Sequence, residues 1–146
     1  MAARFVGHAL ALTARFITAV RADWRGIEPV AKQRVYFANH VSNADMPMIW
    51  TVLPVHMRRR TRPVAAADYW LKNKVRAFIG PEVFNCVLID RRPEARIEDP
   101  MEKILQALDD GSSLIIFPEG NRNMTDDPLL PFRAGLYNMG VARPHV

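Results

Sequence analysis

A single cysteine, Cys86, stands among the 146 residues, so no disulfide can close within the chain, and the sequence fits a reducing compartment. Cys86 opens the apolar run Cys86-Val87-Leu88-Ile89 and reads as a small buried apolar residue rather than a reactive thiol. Histidine is also scarce. His8, His40, His56 and His145 stand far apart without zinc-type spacing, which argues against a bound metal. No G-x-S-x-G elbow occurs, so the chain lacks the usual exposed serine nucleophile of a hydrolase. No apolar stretch approaches the roughly 20 residues that span a bilayer, because Arg15 interrupts the N-terminal run, and no small-residue cleavage site follows it. Repeats and low-complexity segments are missing too. What remains is an ordinary globular composition, 49% hydrophobic, in a chain of a length that buries roughly 68–70% of its unfolded surface in one core.

Against these absences, one stretch stands out: Asn39-His40-Val41-Ser42-Asn43-Ala44-Asp45. It follows the short apolar run Val35-Tyr36-Phe37-Ala38 and precedes Asp45-Met46-Pro47, which reads as a helix start because proline is favoured in the first turn. On one continuous helix His40 and Asp45 would point roughly 140° apart. A strand-to-helix turn lets them meet. A carboxylate on one imidazole nitrogen fixes the tautomer and leaves the other nitrogen to take a proton from a hydroxyl. With no nucleophile elbow in the chain, that hydroxyl belongs to the substrate. The alternative makes Asp45 an N-cap and His40 a loop residue.

A second segment has the same form. Ser113-Leu114-Ile115-Ile116-Phe117 reads as a buried strand after the turn residues Asp109-Asp110-Gly111, and it runs directly into Pro118-Glu119-Gly120-Asn121-Arg122. Glycine lets backbone N–H groups approach an anion, and the planar fork of an arginine suits a phosphate.

With both motifs in place, the chain resembles the glycerolipid acyltransferase family, whose best-known members acylate lysophosphatidic acid. His40 and Asp45 match its H-x-x-x-x-D motif, and Phe117, Pro118, Glu119, Gly120 and Arg122 match F-P-E-G-x-R. Val87-Leu88-Ile89-Asp90-Arg91 is similar to the family's intermediate Ile-x-Arg block, and Phe132-Arg133-Ala134-Gly135 to a later F-x-x-G segment. Leu88 stands where an aromatic is common, Asn121 replaces a small hydroxyl residue, and Asn123 stands where serine is common. The fourth motif of the family, a short strand with a Val-Pro pair, is expected just beyond Val146, so the sheet reads as cut short at its C-terminal end. The resemblance implies that His40 is the general base and Asp45 its orienter. It also implies that Arg122 and Gly120 clamp an acceptor phosphate, that Arg91 is a second cation, and that Glu119 orients Arg122 or the acceptor. The implied co-substrates are an acyl thioester of coenzyme A or acyl-carrier protein and a lysophospholipid acceptor, with no metal or redox cofactor.

The expected strands are Arg34–Ala38, Arg62–Ala67, Cys86–Asp90 and Ser113–Phe117, followed by helices over Pro47–Leu53, Trp70–Phe78, Asp99–Leu108 and Arg133–Val141. Such alternation predicts an α/β fold with a largely parallel sheet covered by helices. In such sheets ligands bind off the carboxyl ends of the strands, and His40, Arg91 and Glu119 all lie just past strand ends. Residues 1–26 read as an amphipathic N-terminal helix ahead of an acyltransferase domain over 27–146. Wrapping Phe5 to Trp24 gathers Phe5, Val6, Ala9, Leu12, Phe16, Ile17, Val20 and Trp24 on one face. Arg4, His8, Arg15, Arg21 and Arg25 take the other. This suits a helix lying in the plane of a membrane interface, and equally a helix whose apolar face packs on the protein's own sheet.

Basic residues concentrate between His56 and Arg76, a window of net charge +6 in a chain of net charge +5. Such a patch suits anionic headgroups, the phosphates of an acyl-CoA or an acidic carrier protein. No nucleic-acid-binding motif accompanies it. The expectation is therefore a peripheral enzyme on the cytoplasmic face of a membrane. Two other classes stay open: a lipid or thioester hydrolase, with Ser42 or Ser112 as nucleophile, and a non-catalytic peripheral membrane module.

Overall fold

The structure is a computed structural model that describes residues 1–92 and 98–146. Four parallel strands, β1 (Val35–Phe37), β2 (Thr61–Ala66), β3 (Val87–Ile89) and β4 (Ser113–Ile116), form one sheet in the order β1-β4-β2-β3. Seven helices accompany them among the described residues: α1 (Ala2–Thr18), α2 (Asp45–Val52), α3 (Val55–Arg58), α4 (Ala67–Trp70), α5 (Lys74–Phe78), α6 (Pro100–Asp109) and α7 (Gly135–Ala142). The expected α/β class and parallel sheet are therefore found. Strands β1, β3 and β4 are tighter by one or two residues and β2 is shifted one residue toward the N-terminus, but the β1 ladder reaches both expected ends. Leu114 N–H donates to the Arg34 carbonyl at 3.0 Å and Ala38 N–H to the Ile116 carbonyl at 3.3 Å.

Strand β4 lies second in the sheet and is buried at every position, Ser113 through Ile116. That burial accounts for its unbroken apolar run, since a strand covered on both faces has no polar side to show. Ile115 joins a cluster with Ala11, Met46, Trp50, Leu53, Met57, Phe84 and Cys86. Its neighbours Leu114 and Ile116 face the other way, to Val87, Ile104, Ala107, Leu108 and Met139. The result is a three-layer sandwich with α1 and α2 on one face and α6 and α7 on the other. Burial in this core pushes the Cys86 thiol up to about 12, so it stays protonated. Pro63 sits inside an interior strand, where the missing N–H would ordinarily break a ladder. Here β2 pairs with β4 through Thr61–Pro63 and with β3 only from Val64 onward, so the proline precedes the second ladder.

Helix α6 follows its sequence signals closely: the Asp99 carboxylate accepts from Met101 N–H at 2.9 Å, Pro100 opens the first turn, and Gly111 takes φ +77° beyond the end. The expected single helix over Trp70–Phe78 is instead two short helices, α4 and α5. Asn73 breaks it by adopting an extended backbone and capping α5, its side chain accepting from Arg76 N–H at 3.0 Å. A π-helical turn at Ile79–Val83 follows, and a Cβ at Gly80 would come within 2.8 Å of the Trp70 ring.

The N-terminal helix ends at Thr18 rather than continuing toward Trp24, because Ala19 turns into the left-handed region at φ 51°. It packs inward by its small residues. Gly7 and Ala11 are buried, and a Cβ at Gly7 would lie 3.2 Å from Val83 and 3.3 Å from Trp50. The bulky face points out, with Phe5, Leu12 and Phe16 exposed at 76%, 68% and 91%. The alternative in which that face packs on the protein's own sheet is therefore not what forms. Arg15, assigned to the polar face, reaches instead to the last carbonyls of α2, donating to Thr51 at 2.8 Å and Val52 at 3.5 Å.

Candidate active site

In a parallel sheet all carboxyl ends share one edge, and here β1 and β4 are neighbours. The turns that follow them, Ala38–Ala44 and Phe117–Arg122, are therefore side by side although they lie far apart in sequence. The first returns on itself at Asp45. Its Oδ2 lies 2.9 Å from His40 Nδ1 and accepts from the backbone N–H groups of Val41 at 2.8 Å and Ser42 at 2.7 Å. Asp45 thus begins α2 with its carboxylate turned back over the turn, while Ala44 occupies the cap position without a side-chain bond. Burial alone would raise the Asp45 carboxyl. The Ser42 N–H, the His40 imidazole and the Val41 N–H together outweigh burial and hold it below the usual carboxylate range. An ionised carboxylate on Nδ1 places the imidazole proton there and leaves Nε2 with its lone pair.

The imidazole is held in plane as well as in tautomer. The Phe117 ring stacks on it at 4.2 Å between centroids with 20° between planes. Below the pair, Glu119 is 97% buried, at 3% exposure, and spends both oxygens on backbone. Oε1 accepts from His40 N–H at 3.0 Å and Oε2 from Leu130 N–H at 3.2 Å. Glu119 thus forms a brace joining three segments of chain, and among the described residues it makes no hydrogen bond or ion pair with Arg122. Asn123, also buried, adds a second tie through its N–H to the His40 carbonyl at 2.6 Å.

The cations divide. Arg122 is exposed and, among the described residues, makes no ion pair or hydrogen bond. Arg91 is engaged by Asp68 at the start of α4, with Nη2 to Oδ2 at 2.8 Å and Nε to Oδ1 at 3.3 Å. Gly120 takes φ +73°, and a Cβ there would meet Arg133 at 2.6 Å from Nε and 2.7 Å from Cδ. Glycine is thus favoured by the backbone angle, and it also leaves room for a guanidinium that a Cβ would push aside. With its amide turned to suit both neighbours, Asn121 donates to the Gly120 carbonyl at 3.0 Å and accepts from Arg133 Nη2 at 2.9 Å. Of the serines, Ser42 accepts from Ala44 N–H at 3.1 Å through its Oγ, and Ser112 lies before β4, at the opposite edge of the sheet from His40.

A family model described as Acyltransferase matches residues 21–143, most of the chain. The chain belongs to the acyltransferase family. Curated relatives named 1-acyl-sn-glycerol-3-phosphate acyltransferase from Limnanthes alba and Limnanthes douglasii are 25% and 26% identical, each alignment covering 92% of this chain. The chain spans about half the length of these relatives, 46% in each case. No solved structure matches.

Within this acyltransferase fold, three residues at the site escaped the sequence reading of roles: Phe117, Asn123 and Arg133. Phe117 and Arg133 lay in recognised segments, yet ring stacking and a guanidinium wedged against a glycine are tertiary facts with no local signature. Asn123 was marked only as a departure from a common serine.

Proposed function

We propose that the protein transfers a fatty acyl chain from an acyl thioester of coenzyme A or acyl-carrier protein to a glycerol hydroxyl of a lysophospholipid, 1-acylglycerol-3-phosphate above all. The observation that carries this reading is the 2.9 Å contact of His40 Nδ1 with Asp45 Oδ2 at the carboxyl edge of the sheet, with no protein hydroxyl supplied as nucleophile. His40 Nε2 takes the proton of the acceptor hydroxyl as its oxygen attacks the thioester carbonyl, and Asp45 supports the imidazolium that results. Collapse of the tetrahedral adduct expels the thiolate, to which the imidazolium returns the proton. Arg122, exposed and unpaired among the described residues just after the Gly120 turn, binds the acceptor phosphate, and Arg133, packed against that glycine, supplies a second cation. Arg91, already paired with Asp68, is the weaker candidate for that role. The names of the Limnanthes relatives support the choice of acceptor.

The same reading places the enzyme peripherally on the cytoplasmic face of a membrane, the compartment of its water-soluble thioester donor, with the outer face of α1 against the lipid. No helix among the described residues is long and apolar enough to cross a membrane. The test is acceptor dependence. Purified protein mixed with acyl-CoA or acyl-carrier protein should release thiol slowly, and addition of lysophosphatidate should raise the rate with diacyl product in equal amount. Release of thiol and free fatty acid at full rate without acceptor would make the protein a hydrolase, and release under neither condition would make it a binding module.

A further inference from the structure

At the opposite end of the sheet from His40, a cavity of about 250 Å³ opens between α1, α3 and the residues leading into β3. Arg4 and His8 of α1, Arg58 and Arg59 around α3, and Trp50 line it, with Glu82 as the single carboxylate. Arg58 is unusual for an arginine. It is only 9% exposed, its guanidinium lies 4.9 Å over the Trp50 ring, and burial together with the nearby Arg15 pulls its affinity for a proton down. Its Nη1 has no hydrogen-bond partner among the described residues, and neither has the buried Trp50 Nε1. Buried donors are nearly always satisfied, and a buried charge is costly unless paired. Here both orphaned donors belong to residues that line one cavity, although the two atoms themselves are closed off from solvent, and Glu82 reaches none of the cavity's arginines as an ion pair.

We propose that this cavity is a binding site for a phosphate group, separate from the acceptor site, with Arg58 as its floor and Arg4 and Arg59 as its rim. Three arginines against one carboxylate suit a multiply charged tetrahedral oxyanion, and a planar guanidinium offers it paired donors. At about 30 Å³ per water, the space holds a group the size of a small phosphate ester. The ligand is either a soluble phosphate ester or the headgroup of an anionic phospholipid.

Thermal unfolding and tryptophan emission, measured on the Arg122→Ala protein so that the acceptor site is weakened, test the proposal. The probes are inorganic phosphate, glycerol 3-phosphate, and vesicles of phosphatidic acid or of phosphatidylcholine. At about a hundred times Kd, a ligand confined to the folded state should raise Tm by roughly 5–10 °C and alter emission from Trp50. Arg58→Met should unfold no earlier than its parent without ligand, because it removes an unpaired buried charge, yet lose the response at least tenfold. Arg59→Gln, at an exposed position, should weaken the response several-fold without disturbing the fold. Saturable effects of the soluble phosphates assign a soluble ester. Effects of phosphatidic acid vesicles alone, beyond those of phosphatidylcholine and lost in Arg59→Gln, assign a headgroup. No change with any phosphate, or a response that survives both substitutions, overturns the site.

Discussion

At the level of single residues, the geometry around His40 separates roles that a motif leaves merged. His40 alone offers a free nitrogen to a substrate, so His40→Ala should lower acyl-transfer kcat by roughly 10²–10⁴ while the protein stays folded, checked by steady-state rates and circular dichroism. Asp45 acts twice, through the imidazole and through the Val41 and Ser42 N–H groups, so Asp45→Asn should lower both rate and stability. Its pH signature follows from the depressed carboxyl. A folded-state pKa below the unfolded value stabilises the protein fully above the unfolded pKa, and that share is lost as pH falls through the folded one. Urea unfolding should therefore show the parent more stable than Asp45→Asn near pH 7, with the gap closing only below the ordinary aspartate range. The pairing of His40 with Asp45 was legible in the sequence, because a strand-to-helix turn lets the two meet and the H-x-x-x-x-D resemblance favoured that over an N-cap. The stack on Phe117 was not, since it depends on which strand lies next to β1.

Between elements, the site is assembled by contacts that cross from one strand end to the next. The element types were legible from apolar runs and caps, and α6 most of all, because Asp99, Pro100 and Gly111 are local signals. The order β1-β4-β2-β3 was not, because strands of three to six residues carry no pairing code. Glu119 shows the consequence. Its sequence neighbour Arg122 suggested a functional partner, whereas the sheet order sets its carboxylate under His40 and Leu130. Glu119→Gln keeps the size but presents one acceptor oxygen to two N–H groups. It should destabilise the protein by about 1–3 kcal/mol in urea unfolding, the cost of one unsatisfied buried donor, and lower kcat by loosening His40 rather than by raising KM. Gly120→Ala should be harmful for the reasons of angle and space already given, costing about 1–2 kcal/mol from the left-handed backbone before any displacement of Arg133. Full stability and activity in Gly120→Ala would show that the turn relaxes freely.

For the whole molecule, of the two ends of the sheet and the outer face of α1, only the carboxyl end was marked by motifs. Amphipathicity was legible in α1, but the direction of its faces was not. Periodicity identifies an apolar stripe without saying that Gly7 and Ala11 would give the closer fit to Trp50 and Val83. Once small residues take the inside, Phe5, Leu12 and Phe16 are left in water, an arrangement that a lipid surface would relieve. Because these three side chains contribute little to the core, replacing them together with Ser should leave Tm within a few degrees of the parent. The same change should weaken binding to vesicles. Full burial of one such side chain is worth about 1.5–3 kcal/mol, so even partial insertion of three predicts a loss on the order of a hundredfold in partitioning. Raising salt should act on the remaining basic contribution and should weaken the parent and the triple variant by similar factors, since exposed charges are screened over about 10 Å at 0.1 M. Co-sedimentation with anionic and zwitterionic vesicles at two salt concentrations separates the two contributions. If the folded triple variant sediments as well as the parent under all four conditions, the outer face of α1 is not the membrane contact.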